Sequence, residues 1–118
     1  MKRVFVLIAY FLFTFPAVAD SFSPDEKALT KMAATLAYGE SRCPHLEGNT
    51  PSLALMATSR RVSPDDWRKG GRLRGLLEAN IQLVKAEFDS TDDKIFCLGL
   101  EAAFGPNGVK APGAMRRK

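Results

Sequence analysis

The sequence predicts an all-α protein, a small bundle of three to five helices stapled by one disulfide. Three observations predict this fold class. Motifs that start helices recur along the chain, apolar residues follow each motif at helical spacing, and two cysteines lie far apart behind an export signal. No segment of convincing length alternates between apolar and polar residues as a strand would. We therefore expect helices to form the core.

The N-terminal segment has the composition of a secretory signal peptide. A basic start at Lys2-Arg3 precedes an unbroken apolar run over residues 4–13, and the sequence AVA at residues 17–19 suits a signal peptidase. The alternative is a membrane anchor, but residues 4–19 span about 24 Å as a helix, against a hydrocarbon core of about 30 Å. We expect a signal peptide over residues 1–19, cleavage between Ala19 and Asp20, and a periplasmic or secreted protein whose mature chain has no transmembrane segment.

Residues 20–118 are predicted to form a single helical domain. The formal net charge of the whole chain is +4, and two of its basic residues lie in the predicted leader. The mature chain therefore carries about +2, a mild charge that does not indicate DNA or RNA binding. Export and this charge together argue against binding to nucleic acid.

Two helices are predicted before residue 60. The motif SPDE at residues 23–26 combines a hydroxyl cap, a proline in the first turn and a glutamate that can close a capping box. Gly39 is the expected end of this helix. Thr50-Pro51 starts a second, shorter helix that runs to about Ser59. The first helix carries its apolar residues at spacings of three and four: Leu29, Met32, Ala33 and Leu36.

The third helix is predicted to be the longest, from the motif SPDD at residues 63–66 to about Phe88. Gly70-Gly71 weakens a helix by about 1 kcal/mol per glycine, so residues 64–69 can form a separate turn. Leu76 and Leu83 widen the apolar face. The stripe expected to face the core consists of Leu73, Leu77, Ile81, Val84 and Phe88.

A fourth helix is predicted from about Asp92 to Phe104. Apolar residues lie on both of its sides, and a helix that is apolar nearly all round is usually central and buried. Turn-rich sequence and a basic end follow this helix, so we expect a flexible C-terminal tail from about residue 105. One side of the helix carries Phe96, Cys97, Leu100 and Phe104, and the other carries Ile95, Leu98 and Ala102.

The two cysteines are predicted to form a disulfide bond. Disulfides persist in an oxidising compartment, and a Cys43–Cys97 bridge closes a loop of about 55 residues, which stabilises a small domain by about 4 kcal/mol. A free or catalytic thiol and a metal ligand are the alternatives. Neither cysteine has a second thiol two residues away, and His45 is the sole histidine. We predict no metal and no cofactor.

No catalytic residue is predicted. His45 lies beside a proline and next to a cysteine expected to be bridged, and no nucleophile motif accompanies it. The carboxylate pairs Asp65-Asp66 and Asp92-Asp93 both lie where a helix begins, so capping and the helix dipole explain them without acid–base chemistry.

One cluster of charge remains as a candidate binding patch. Six basic residues fall within fifteen positions, around the only tryptophan of the chain. Arginine side chains can bind the carboxylates or phosphates of an acidic envelope protein, a cell-wall polymer or a lipid surface, and a tryptophan can add an apolar anchor. A solvated basic face is the alternative. The patch consists of Arg60, Arg61, Trp67, Arg68, Lys69, Arg72 and Arg74.

Three segments carry a resemblance to known proteins. The sequences RCP at residues 42–44, VSPDDWRKGG at 62–71 and FCLGLEAAFGPNG at 96–108 resemble a group of small bacterial exported helical proteins with two cysteines. This resemblance implies no particular activity. In size, helix content and a single long-range cystine, the chain is also similar to the HdeA-type periplasmic acid-stress chaperones, and this architectural similarity transfers no residue roles.

Together these observations predict a small non-catalytic interaction protein, such as an inhibitor, an immunity-type partner, a chaperone or an envelope adaptor. A small periplasmic enzyme or a ligand carrier is the alternative. The oligomeric state and the identity of the partner do not follow from the sequence.

Overall fold

The computed structural model describes residues 21–118, which form four α-helices and one two-stranded sheet. The predicted signal peptide and its cleavage site lie outside these residues. A short 3-10 helix, Pro64–Trp67, precedes the third α-helix. The other elements are α1 (Pro24–Arg42), β1 (Leu46–Gly48), α2 (Thr50–Ser59), α3 (Arg74–Phe88), α4 (Asp93–Phe104) and β2 (Met115–Arg117). The prediction of a mostly helical protein with one disulfide is confirmed, whereas the two-stranded sheet was not predicted.

Local chemistry sets the starts of three helices. The capping box of α1 is present, with the Ser23 hydroxyl accepting from the Glu26 amide and the Glu26 carboxylate accepting from the Ser23 amide. Asn49 caps α2 through the amide of Ser52. Asp92 caps α4 and accepts from two backbone amides of its first turn. Each cap satisfies amides that the helix itself leaves without partners.

The SPDD motif at residues 63–66 begins a 3-10 helix and not the long α-helix. Ser63 makes no side-chain capping bond, and α3 starts only at Arg74. The 3-10 helix ends at Trp67, Arg68 is extended, and Gly70 has a φ of +84°, which a glycine adopts without strain. The predicted separation of residues 64–69 from the main helix is therefore confirmed.

The core has two parts that share α1. The C-terminal half of α1 packs with α4 and the end of α3, whereas its N-terminal half packs with residues 57–77. The predicted stripe of α3 and its N-cap residue Leu73 face the core, with Leu73, Leu77 and Val84 buried. Leu83, expected to widen the apolar face, is 67% exposed.

The disulfide joins the end of α1 to the middle of α4. Cys43 is the residue that caps α1, and it bonds Cys97 with a Cα–Cα distance of 5.8 Å. Both residues are buried in the core, and neither thiol of the described chain is free. The predicted structural bridge between these two cysteines is confirmed.

The prediction that α4 is buried all round is wrong. Phe96, Leu100 and Phe104 face the core, but Ile95 and Leu98 on the other side are 66% and 63% exposed. The helix packs through one face against α1 and the C-terminal segment, and none of the described residues covers its opposite face. The apolar residues on both faces of α4 therefore did not indicate that the whole helix is buried.

The prediction that Gly39 ends the first helix is also wrong. The helix continues through Gly39 to Arg42. A Cβ atom at Gly39 would overlap the Leu100 side chain, so the missing side chain permits close approach of α1 and α4. This glycine is a packing residue and not a helix stop.

The segment after residue 105 is not the free tail that the sequence suggested. Met115 is fully buried, as is Ala114, and β2 pairs antiparallel with β1 so that Gly48 lies opposite Met115. The Asn49 amide donates to the Ala114 carbonyl at 2.8 Å. Only three residues form each strand, which is too few for an alternating pattern to be recognised in the sequence.

Candidate functional site

The predicted binding patch lies on the connection between α2 and α3, which we call the cationic loop (residues 60–74). Arg60 and Arg61 follow the last turn of α2, Arg68 and Lys69 follow the 3-10 helix, and Arg72 and Arg74 lead into α3. Five of these six side chains belong to exposed residues, and Arg74 is half-buried. The structure thus places the six cations on one connection.

Trp67 does not serve as a surface anchor, which corrects its predicted role in the patch. The residue is 8% exposed and packs in the core against the N-terminal half of α1. Its indole Nε1 donates to the Thr30 hydroxyl at 2.8 Å, and Thr30 is fully buried. A large apolar side chain with one donor is well suited to this position, where it ties the loop to α1.

Backbone hydrogen bonds hold the rest of the cationic loop. The Leu73 amide donates to the Asp66 carbonyl at 2.8 Å, and the Gly71 amide donates to the Arg68 carbonyl at 2.8 Å. The Arg74 guanidinium donates to the Trp67 carbonyl at 3.2 Å. These bonds close residues 66–74 on themselves, so the loop has a defined shape.

Four of the six cations form ion pairs with carboxylates of the same chain. Arg72 contacts Glu26, whose side chain also completes the capping box of α1. The other pairs connect exposed side chains: Arg60 with Asp25 at 3.9 Å, Arg68 with Asp65 at 3.3 Å and Arg74 with Glu78 at 3.0 Å. Exposed pairs of this kind contribute about 0–1 kcal/mol each, so a partner can replace them at little cost.

Two cations of the loop differ from the other four. Arg61 and Lys69 are exposed, and neither has an ion-pair partner among residues 21–118. Arg61 has a φ of +61°, a left-handed conformation that is uncommon for residues other than glycine, asparagine and aspartate. These two side chains are the best-placed donors for a carboxylate or phosphate outside the chain.

A second charged cluster, around Arg42, was not found from the sequence. Its guanidinium donates to the carbonyls of Phe88 at 2.7 Å and Thr91 at 2.5 Å, and to Asp93 at 2.5 Å. It also lies over the ring of Phe96, 4.6 Å from the ring centre. The hydrogen bond to Asp93 raises the pKa of Arg42 above its ordinary value. All these contacts are internal, so Arg42 joins α1 to the turn between α3 and α4.

Most of the residues weighed as catalytic candidates lie apart, although His45 and Asp93 line the same depression beside the disulfide. His45 is exposed beside the disulfide, Asp65 pairs with Arg68, and Asp93 pairs with Arg42. Asp92 caps α4. Within residues 21–118, no group of three or more histidine, cysteine, aspartate or glutamate side chains could hold a metal ion.

The structure thus defines a small disulfide-bonded helical domain that presents a fixed cationic loop. Comparison of the chain with protein-family models, with curated proteins and with solved structures finds no match in any of the three. None of the helices within residues 21–118 is both long enough and apolar enough to cross a membrane. The function must therefore be argued from the geometry of this chain.

Proposed function

We propose that the protein is an exported, non-catalytic interaction protein whose cationic loop binds an acidic protein of the cell envelope. The observation that carries this proposal is the loop itself, in which Arg61 and Lys69 are exposed and pair with no carboxylate of residues 21–118. The disulfide between Cys43 and Cys97 is in keeping with an oxidising compartment, which supports the proposed export.

The anchored shape of the loop favours binding. Ordering a mobile loop on association costs free energy for each side chain that is immobilised, and a loop that is already held avoids part of that cost. Here the buried Trp67 and the backbone bond from Leu73 to Asp66 hold the cationic loop before any partner arrives. Clustered cations also speed association with an acidic surface.

The pairs that Arg60 and Arg68 form with their own carboxylates support the same proposal. Both pairs are exposed and can therefore be exchanged for a partner's carboxylates without exposing a buried charge. Arg72 differs, because its partner Glu26 is mostly buried and caps α1. We therefore assign Arg72 a structural role. The binding role is assigned to the other exposed cations of the loop, which are Arg60, Arg61, Arg68 and Lys69.

The test reverses the two charges of the cationic loop that have no ion-pair partner within residues 21–118. The double variant Arg61→Asp with Lys69→Glu should fold normally, because aspartate tolerates the left-handed conformation at position 61. Protein expressed from the complete sequence should capture an acidic protein from envelope extract, and the double variant should not. Capture by the wild type should weaken at high salt, since salt screens exposed charges.

A matched control changes the net charge equally at a distance from the loop. Lys85→Glu with Lys94→Glu alters two exposed lysines of α3 and α4 and should leave capture unchanged. Equal capture by the loop variant and the wild type would refute the proposal. Binding of the wild type to anionic vesicles without capture of any protein would also refute it, in favour of a lipid surface.

A further inference from the structure

A second feature of the molecule is an apolar groove that meets the cationic loop only at Arg60. A cavity of about 380 Å³ lies between α1, the C-terminal end of α3 and α4. The side chains of α3 and α4 that line it are largely apolar, and Ile95 extends the lining to the surface. Its inner part is formed by Val84, Phe88, Phe96, Leu100, Ala103 and Phe104.

Gly99 keeps one wall of the groove open. It lies within α4 and lines the cavity, and a Cβ atom placed on it would meet nothing within 4 Å beyond its chain neighbours and the backbone of its own helix. Glycine is unfavourable inside a helix compared with alanine. Unlike Gly39, this glycine is not required by the close approach of a neighbouring helix, and its effect is to leave space in the groove.

Cations lie where the groove meets a second depression. A cavity of about 570 Å³ continues along α1 towards α2 and residues 110–112. Lys31 and Lys110 line both cavities, are exposed, and have no ion-pair partner among residues 21–118. Glu87 lines the first cavity but not the second. Arg60, which pairs with Asp25 at 3.9 Å, lines the second cavity but not the first. Cations therefore outnumber carboxylates along the combined groove.

We infer that this groove binds a single-chain anionic amphiphile, with an acyl chain in the apolar part and a carboxylate or phosphate head at Lys31 and Lys110. Ligand sites are concave and mostly apolar, with a few polar groups that fix orientation, and typically occupy about 300–1,000 Å³. The first cavity, of about 380 Å³, is near the lower end of that range, which favours one acyl chain over two. Lysine ammonium groups bind carboxylate and phosphate heads as compact charges.

The test measures binding of three probes with the same chain and different heads. Calorimetric titration of protein expressed from the complete sequence should show binding of dodecanoate or dodecyl phosphate. Dodecanol, which has the same chain without the charge, should bind at least about tenfold more weakly. The comparison of dodecanoate with dodecyl phosphate identifies the preferred head.

Two sets of variants separate the two parts of the groove. Gly99→Leu should fill the apolar part and weaken binding of the charged probe by at least about tenfold, whereas Gly75→Leu should change it by less than about twofold. Gly75 is a matched control, because it also lies in a helix and has open space around its Cβ position. Lys31→Glu with Lys110→Glu should weaken binding of the charged probe and leave dodecanol binding unchanged.

Several outcomes would overturn this inference. The inference is wrong if neither charged probe binds at concentrations up to about 1 mM, or if dodecanol and dodecanoate bind with equal affinity. It is also wrong if the Gly99→Leu variant binds the charged probe as tightly as the wild type. A dimer in ultracentrifugation that Gly99→Leu disrupts, without probe binding, would assign the groove to a second copy of the chain. The inference does not rest on Arg61 or Lys69, because neither residue lines the groove. Arg61→Asp with Lys69→Glu should therefore leave dodecanoate affinity unchanged.

Discussion

The hydrogen bond between Trp67 and Thr30 determines how the cationic loop is held. Both residues lie in the part of the core that surrounds the N-terminal half of α1, where few other polar side chains are present. A buried donor and a buried acceptor can form a hydrogen bond with each other. Either group buried alone would lose its hydrogen bonds to water and gain none in return, which costs free energy. The position of the exposed cations in the loop therefore depends on the buried hydrogen bond between Trp67 and Thr30.

A double-mutant cycle tests this pair. Trp67→Phe should destabilise the protein by about 1–3 kcal/mol, because it leaves the buried Thr30 hydroxyl without the indole donor. Thr30→Val should destabilise it for the converse reason. The double variant should cost less than the sum of the two, with a coupling of about 1 kcal/mol measured by urea unfolding.

The same cycle can contradict the assignment. Additive effects within about 0.5 kcal/mol would mean that the hydrogen bond contributes nothing beyond packing. Loss of helical signal in the folded baseline of either single variant would show a wider role for these residues. Circular dichroism is the suitable probe, because Trp67 is the only tryptophan of the chain.

At the scale of elements, the close contact of α1 with α4 depends on Gly39. The side chain of Leu100 occupies the space that a Cβ atom of residue 39 would need, and Leu100 is almost fully buried. Close-packed interiors accommodate added atoms poorly, because neighbouring side chains have few alternative rotamers. The disulfide lies nearby, so the two helices are joined by packing and by a covalent bond.

Alanine substitutions at two glycines test this contact. Gly39→Ala should destabilise the protein by about 1–3 kcal/mol, since Leu100 must move within the core. Gly75→Ala, in α3 with open space around it, should stabilise the protein by up to about 1 kcal/mol through helix propensity alone. A gain of stability at both positions in urea melts would show that α1 and α4 are not in close contact at Gly39.

At the scale of the whole molecule, the disulfide encloses most of the fold. Cys43 and Cys97 are 54 residues apart, and the closed loop contains β1, α2, the 3-10 helix and α3. Among the described elements, α1, the end of α4 and β2 lie outside it. The bond therefore restricts the unfolded chain over the segment that also carries the cationic loop.

Removing the bridge should lower the free energy of unfolding substantially. Cys43→Ser with Cys97→Ser, or reduction of the wild type, should cost about 4 kcal/mol, because the unfolded chain regains the entropy of an open loop of this length. Urea unfolding monitored by circular dichroism measures the loss, and the wild type in reductant should match the double variant in buffer. An unchanged urea midpoint on reduction would contradict the prediction.

The sequence by itself determined the features that depend on neighbouring residues. Ser23 and Glu26 lie three residues apart, so their capping box forms within one turn of α1. The stripe of α3 that contains Leu77 and Val84 was also predictable, because helical periodicity places these residues on one face. The cysteine pairing followed from there being only two cysteines in the chain.

Only the tertiary structure decided the features that depend on residues far apart in the chain. Trp67 is buried because Thr30 and the apolar face of α1 receive it, and Met115 is buried because β1 offers an edge for pairing. Ile95 is exposed because none of the described residues covers that face of α4. The sequence showed the type of each side chain, but burial and pairing depend on which distant partner folding brings into contact.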